Sequence, residues 1–317
     1  MKEWLSALLR LVRVQNLLII AATQYFVRFF LLKPFFFSYK FELAHSLSDI
    51  EFLTLVAATL CIAAAGNIIN DYFDIDIDRI NKPGKMLIGR YFGRTEAFRL
   101  HLVLNGIGIV LGCLSAWLAG NIKLGFIFPV AAGLLWFYAK SLKKYFLLGN
   151  LLVSVLTGVV ILLPLFFETW LLTTRNQVIL RAAYDELLIQ SVLAYALFAF
   201  ITTLIREIIK DAEDIEGDRQ FDVKSVPIVL GQKLAKTVVA ALCLLLIGLL
   251  FIVQRQFFRE EQFLKISYIL IALQLPVIGL LFNLVPASAR EDFAKLSEWM
   301  KIIMLLGVAS MAVFHYL

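Results

Sequence analysis

Two acidic segments hold the residue types that could do chemistry in this chain. The first reads Asn67-Ile-Ile-Asn70-Asp71-Tyr-Phe-Asp74-Ile-Asp76-Ile-Asp78-Arg79. The second reads Arg206-Glu207-Ile-Ile-Lys210-Asp211-Ala-Glu213-Asp214-Ile-Glu216-Gly217-Asp218-Arg219. At about 100° per residue, Asn67, Asp71, Asp74 and Asp78 share a narrow stripe of one helix, while Asp76 points to the other side. Glu207, Asp211, Asp214 and Asp218 repeat that spacing at a constant offset along the chain, which makes the pair an internal repeat.

Like charges stacked on one helix face repel, and carboxylates close to a bilayer are costly, so the pattern requires a compensating cation. A divalent metal meets that need. Mg²⁺ takes oxygen ligands and is usually held by one or two carboxylates, waters and substrate phosphates. Two such clusters would hold a diphosphate between them. An EF-hand fails, because the loop starting at Asp74 has Arg79 at its sixth position, where Gly is needed, and Lys85 at its twelfth, where Glu is needed. The phosphate charge left over calls for basic groups. The candidates are Lys82, Lys85 and Arg90, then Arg206 and Lys210 within the second cluster, and Lys140, Lys143 and Lys144.

The elements that must position these groups are membrane helices. Of the 317 residues, 61% are apolar and only 17% are charged, against about 25% charged in soluble domains. The mean hydropathy is +0.84. Such a chain has far more apolar surface than one globular core could hide, so the expected class is all-α, a polytopic membrane bundle. Apolar runs near 15–37, 51–70, 98–119, 122–139, 147–172, 184–209, 234–254, 264–286 and 298–316 predict nine spans in one domain, 1–317. Small residues from Ala57 to Gly66 place the second span inside the bundle.

Lys and Arg concentrate at the N-terminus and near 71–97, 140–146, 206–236 and 287–301. By the positive-inside rule those segments face the cytoplasm, so both acidic clusters open there. The net charge of +6 follows from the same bias, and no nucleic-acid partner is expected. Cys61, Cys113 and Cys243 sit in apolar runs, and His45, His101 and His315 are scattered, so neither a disulfide framework nor a Cys or His metal site is supported. No cleavable signal peptide is expected, since the first apolar run lacks a small-residue cleavage pattern and contains Arg28.

These residues resemble the UbiA superfamily of membrane-embedded prenyltransferases. Its first motif, Asn-Asp-x-x-Asp-x-x-x-Asp, is matched by Asn70, Asp71, Asp74 and Asp78, and its second Asp-rich helix by Asp211, Asp214 and Asp218. Asn81-Lys82-Pro83 follows the first motif as in the family, and Tyr138 with Lys143, followed by Gly149-Asn150, looks like its Tyr and Lys loop. One departure is that Lys85 and Met86 stand where the family often has Arg and Pro, which keeps a charge but loses the guanidinium fork and the rigid turn. The segment from Arg206 to Asp218 and Val226-Pro227-Ile228-Val229-Leu230-Gly231 is most similar to the geranylgeranylglycerol-phosphate geranylgeranyltransferase branch.

The resemblance implies Mg²⁺-dependent transfer of a prenyl group from an allylic prenyl diphosphate, geranylgeranyl diphosphate in that branch, to a lipid-type acceptor. It implies that Asp71, Asp74, Asp78, Asp211, Asp214 and Asp218 hold the metal, with Asn67, Asn70, Tyr138, Lys143, Arg206, Lys210 and Lys85 on the substrate. Phe73, Trp136 and Phe137 are candidates to line the isoprenoid path. An aromatic acceptor of the quinone, tocopherol or chlorophyll type is the alternative, and a cation- or proton-coupled transporter the remote one. The expected location is the cell membrane, multi-pass, with membrane lipid around the bundle.

Overall fold

The computed structural model describes residues 2–38, 47–81, 84, 86–175 and 186–317. Among the described residues there is no strand, only an isolated bridge between Ile88 and Phe92, and nine helical spans are long and apolar enough to cross a membrane. The all-α architecture and the nine spans agree with the sequence pattern. The helices overrun the apolar runs, however. The second span ends at Phe73 and the sixth at Glu213, because the backbone of each acidic segment stays helical after the hydrophobicity stops.

The chain folds as two compact units, Met1–Leu142 with Val159–Val192, and Lys143–Gly158 with Leu193–Leu317. The first opens with the short helix α1 (Lys2–Leu11) and continues as α2 (Val14–Phe26), a π-helical turn (Val27–Leu32) and α3 (Lys33–Ser38). It then contains α4 (Asp49–Phe73), α5 (Ile75–Asn81), α6 (Arg94–Leu118) and α7 (Ile127–Lys140). Helix α8 (Leu148–Arg175) has residues in both units.

Helix α4 is the axis of this first unit. Of its apolar window 61% is buried, against 22 to 44% for the other eight spans, as its small residues predict. Gly108 of α6 brings that helix onto it. A Cβ on Gly108 would lie 2.7 Å from Ile62 Cγ1 and 3.2 Å from the Ala58 carbonyl oxygen, so only the missing side chain permits this approach. The start of α4 is set by a capping box in which Ser48 Oγ accepts from the Glu51 amide (3.2 Å) and Glu51 Oε2 accepts from the Ser48 amide (2.7 Å).

At that same end a buried charge is neutralised. Arg28, on the π-helical turn, lies 3.2 Å from Glu168 Oε1 on α8 and 3.2 Å from Asp49 Oδ1, and stacks 4.4 Å above the Phe52 ring. Arg28 and Glu168 are each 1% exposed. The backbone of Leu47 completes the group, its N–H donating to Glu168 Oε2 (2.9 Å) and its carbonyl accepting from Arg28 Nη2.

The second unit comprises α9 (Glu186–Glu213, from Leu193), α10 (Ile215–Gln220), α11 (Val226–Leu230) and α12 (Gln232–Arg259). It continues with α13 (Phe263–Tyr268), a second π-helical turn (Ile269–Gln274), α14 (Leu275–Leu284) and α15 (Arg290–Tyr316). Ile205, Ile208 and Ile209 of α9 pack in one apolar core with Val239, Val277 and Met300. Two polar contacts tie its helices: Tyr195 Oη lies 3.0 Å from Ser310 Oγ, and Lys236 Nζ donates to the Val285 (2.8 Å) and Ala287 (2.7 Å) carbonyls at the end of α14.

Breaking a buried ion pair by removing one partner leaves an uncompensated charge. Arg28→Ala or Glu168→Ala is expected to destabilise the protein by about 3–5 kcal/mol, read as a lowered Tm in detergent. An Arg28→Met/Glu168→Leu double variant should recover only part of this, because the Leu47 N–H and C=O still lose their partners.

Candidate active site

Both acidic segments bend at the same motif position. Helix α4 stops at Phe73, Asp74 adopts φ −90, ψ 2, and the chain resumes as α5; α9 stops at Glu213, Asp214 adopts φ −97, ψ 10, and the chain resumes as α10. Each bend residue closes one helix and opens the next. The Asp74 amide donates to Asn70 O (3.0 Å) and the Asp78 amide to Asp74 O (2.7 Å), while in the repeat Asp214 donates to Lys210 O (3.0 Å) and Asp218 to Asp214 O (3.2 Å). A straight helical stripe, as the spacing alone predicts, is therefore corrected to a stripe bent at its middle carboxylate. The physical reason is that an Asp side chain offers its backbone local alternatives to the helix, and the bridge-region dihedral it takes is open to it.

The bend sorts the side chains. In the first unit Ile75 and Ile77 are buried, Asp71, Asp74 and Asp78 are half-buried, and Asp76 is exposed. Asp76 pairs instead with Arg79 (3.2 Å) and Arg94 (3.8 Å) at the surface, in agreement with the opposite side assigned to it. In the second unit Asp211, Asp214 and Asp218 are half-buried, and Glu216, the counterpart of Asp76, is exposed.

Each cluster is held by its own neighbours. Asn70 Nδ2 donates to Asp74 Oδ2 (2.9 Å), Asn67 Nδ2 donates to the Val12 carbonyl (3.0 Å), and Arg13 Nη2 donates to Asp71 Oδ1 (2.6 Å). In the second unit Asn150 Nδ2 on α8 donates to Asp211 Oδ2 (2.8 Å). Arg206 contacts Glu207 Oε1 through Nη1 (2.7 Å), and its buried Nε–H has no hydrogen-bond partner among the described residues. Lys210 is half-buried on the same helix end. Tyr138 is half-buried in the last turn of α7 in the first unit, and Lys143 is half-buried in the second, in a 3₁₀ turn (Leu142–Lys144). The Lys144 carbonyl accepts from the Lys224 amide (2.9 Å), tying that turn to the segment after α10. Lys82 and Lys85 lie outside the described residues.

Beside the first cluster is an aromatic group. Phe73 meets Trp136 edge-on with centroids 5.7 Å apart, Trp136 contacts Phe98 at 5.8 Å and His101 at 5.5 Å, and His101 Nδ1 lies 2.9 Å from the Ala65 carbonyl oxygen. Of the three aromatics expected along an isoprenoid path, Phe73 and Trp136 are together, whereas Phe137 is an exposed residue of α7. Sequence reasoning missed Arg13 and gave Asn150 no role. Arg13 reads as one more N-terminal positive-inside charge, and Asn150 only as part of a Gly-Asn dipeptide.

The donor set suits a hard divalent cation. Among the described residues no three Asp, Glu, His or Cys side chains form a ready-made cage. Mg²⁺ does not need one, since one or two carboxylates with phosphate oxygens and waters are its usual complement. Half-buried carboxylates fixed by amide and guanidinium donors, and an unpartnered Arg206 Nε–H, fit a metal bound together with an anionic substrate.

An all-α multi-pass bundle with two matching bent carboxylate helices defines a class of membrane enzyme. The UbiA prenyltransferase family pattern matches residues 11–312, and the chain belongs to that family; it is a prenyl transferase. It is 31% identical over 261 residues to the digeranylgeranylglyceryl phosphate synthase of Methanosphaera stadtmanae, covering 81% of this chain and 86% of the relative. It is 30% identical over 275 residues to that of Methanobrevibacter smithii, covering 84% and 87%. A solved structure described for digeranylgeranylglyceryl phosphate synthase superposes with a TM-score of 0.62 over 99% of both chains at 27% identity. A UbiA homologue from Archaeoglobus fulgidus, solved with DMAPP and Mg²⁺, shares the fold at a TM-score of 0.55 and 15% identity, over 96% of this chain and 99% of that one.

Asp71→Ala and Asp211→Ala are expected to lower prenyl transfer by about 100-fold or more. Asn150→Ala, which frees Asp211 from its amide donor, should cost about 10–100-fold in activity or metal affinity. Asp76→Ala should stay within about twofold, because its partners are surface cations. Initial rates of the purified variants over a Mg²⁺ titration give all three comparisons.

Proposed function

We propose that this chain transfers a geranylgeranyl group from geranylgeranyl diphosphate to the free hydroxyl of geranylgeranylglycerol phosphate, with Mg²⁺, at the cytoplasmic face of a cell membrane. The duplicated bent carboxylate helix carries the chemistry, because it presents paired oxygen ligands with the same spacing in each unit. The acceptor is supported by likeness to two digeranylgeranylglyceryl phosphate synthases over four-fifths of the chain. The cytoplasmic face is supported by the Lys and Arg bias of the segments that contain both clusters.

The carbon to oxygen bond of the allylic diphosphate breaks with its electron pair going to the diphosphate, the acceptor hydroxyl oxygen bonds to the freed allylic carbon, and the hydroxyl proton passes to the departing diphosphate. Asp71, Asp74 and Asp78, with Asp211, Asp214 and Asp218, would hold Mg²⁺, which when bound neutralises the charge building on the leaving diphosphate. Asn70 and Asn150 keep Asp74 and Asp211 oriented. Arg206, Lys210, Lys143 and Tyr138 supply donors to phosphate oxygens; the buried Nε–H of Arg206 gains there the partner it lacks. Asn67 positions the start of α2 through Val12. Phe73 and Trp136 offer apolar faces that keep water from the allylic carbon.

The deciding experiment incubates the purified protein with Mg²⁺, radiolabelled geranylgeranyl diphosphate and, in parallel, geranylgeranylglycerol phosphate, 4-hydroxybenzoate, homogentisate or dihydroxynaphthoate, and chromatographs the lipid products. The expected product is a Mg²⁺-dependent ether lipid formed only with the glycerol phosphate. Product with an aromatic acceptor alone would overturn the acceptor assignment and leave the diphosphate chemistry standing.

A further inference from the structure

The two acidic helices share spacing and bend but differ in what holds their first aspartate. Asp211 accepts from a neutral amide, Asn150, at 2.8 Å, whereas Asp71 accepts from a guanidinium, Arg13, at 2.6 Å. Orientation alone requires no charge there, as Asn150 demonstrates for the matching carboxylate.

Arg13 is also held in an uncommon way. It lies at the break between α1 and α2 in the left-handed region, φ 56, ψ 55, where a non-glycine residue is disfavoured and persists only when its surroundings fix it. They do so from both sides. The Arg13 amide donates to Arg10 O (3.0 Å), the Leu17 amide donates back to Arg13 O (3.2 Å), and Asn67 on α4 clamps the preceding carbonyl, Val12 O, at 3.0 Å. Helix α1 itself is anchored, since Ala7 and Leu11 are buried with Ile68, Ile75 and Phe92. The backbone thus delivers a half-exposed guanidinium to the first aspartate of the motif, and Asn67, on the motif's own stripe, makes the clamp.

We propose that Arg13 is a further substrate-binding residue that rests on Asp71 and passes to a diphosphate oxygen of the prenyl donor when a metal takes the carboxylate. This rests on the prenyl diphosphate reading of the site. The exchange follows from charge. A divalent cation on Asp71 repels the guanidinium and weakens its hold, while the arriving diphosphate offers oxygens in the spacing a guanidinium fork binds best. No covalent bond changes in this step. Arg13 then has two opposed effects: it competes with a metal for Asp71 when no diphosphate is present, and it strengthens diphosphate binding when the metal is present.

That opposition distinguishes it from an ion pair that merely supports the fold. Arg13→Asn removes the charge and keeps a residue that tolerates the left-handed backbone; Arg13→Gly does the same without a side chain, and Arg13→Lys keeps the charge without the fork. With the full chain in detergent, Mn²⁺ alone is titrated by electron paramagnetic resonance, and geranylgeranyl diphosphate is titrated calorimetrically at saturating Mg²⁺. For Arg13→Asn and Arg13→Gly the expectation is diphosphate binding weakened about tenfold or more, Mn²⁺ binding equal to or tighter than wild type, and Arg13→Lys between. Diphosphate affinity within about twofold of wild type in a folded Arg13→Asn or Arg13→Gly protein overturns the proposal, as does an equal loss of Mn²⁺ and diphosphate affinity, which would make Arg13 only a support for Asp71. A wild-type chain that binds no prenyl diphosphate overturns the parent reading, and is told apart by failing before any variant is compared.

Discussion

A helix inside a bilayer must satisfy its backbone polar groups from within, yet chemistry on a charged substrate needs carboxylates at its end. This chain meets both demands with one device, used twice. At Asp74 and at Asp214 one helix ends and the next begins, the Asp amide donating to the residue four before it and the Asp carbonyl accepting from the residue four after it. One helix therefore ends and the next begins at a single residue with no loop between, whereas a straight helix would carry the motif on without redirecting it. Around this junction Ile75 is buried, Asp76 and Glu216 lie at the surface, and the three motif aspartates of each segment stay half-buried.

Several of the polar groups that enter the apolar interior are given partners there. Arg28 and Glu168 neutralise one another while also serving the backbone of Leu47, which precedes the capping box of α4. Because α4 bears the first acidic motif at its other end, the ion pair and the motif are joined by one continuous helix. The close fit of α6 on α4, possible only because Gly108 lacks a Cβ, keeps that helix from shifting. In the second unit, Tyr195 with Ser310 and Lys236 on the carbonyls ending α14 fill the corresponding need without a buried ion pair of that kind among the described residues.

Much of this was legible from the sequence. Runs of some twenty apolar residues have one stable form in lipid, so nine spans could be counted. The acidic repeat could be read too, since carboxylates at helical spacing share a face whatever surrounds them. The bend could not, because it depends on a balance between an Asp side chain and the backbone that spacing does not record. Phe137 was grouped with Phe73 and Trp136 on residue type, and only the rotation of α7 separates it from them.

Arg13 and Asn150 mark the limit most plainly. By itself the sequence determined the class of fold, the membrane setting, the two acidic helices and the carboxylates on their faces, because periodicity and hydropathy are local properties of the chain. Only the tertiary structure decided which donor meets which carboxylate. Arg13 reaches Asp71 across 58 positions and Asn150 reaches Asp211 across 61, and contacts of that span are set by how helices pack, not by the residues that neighbour them in the chain.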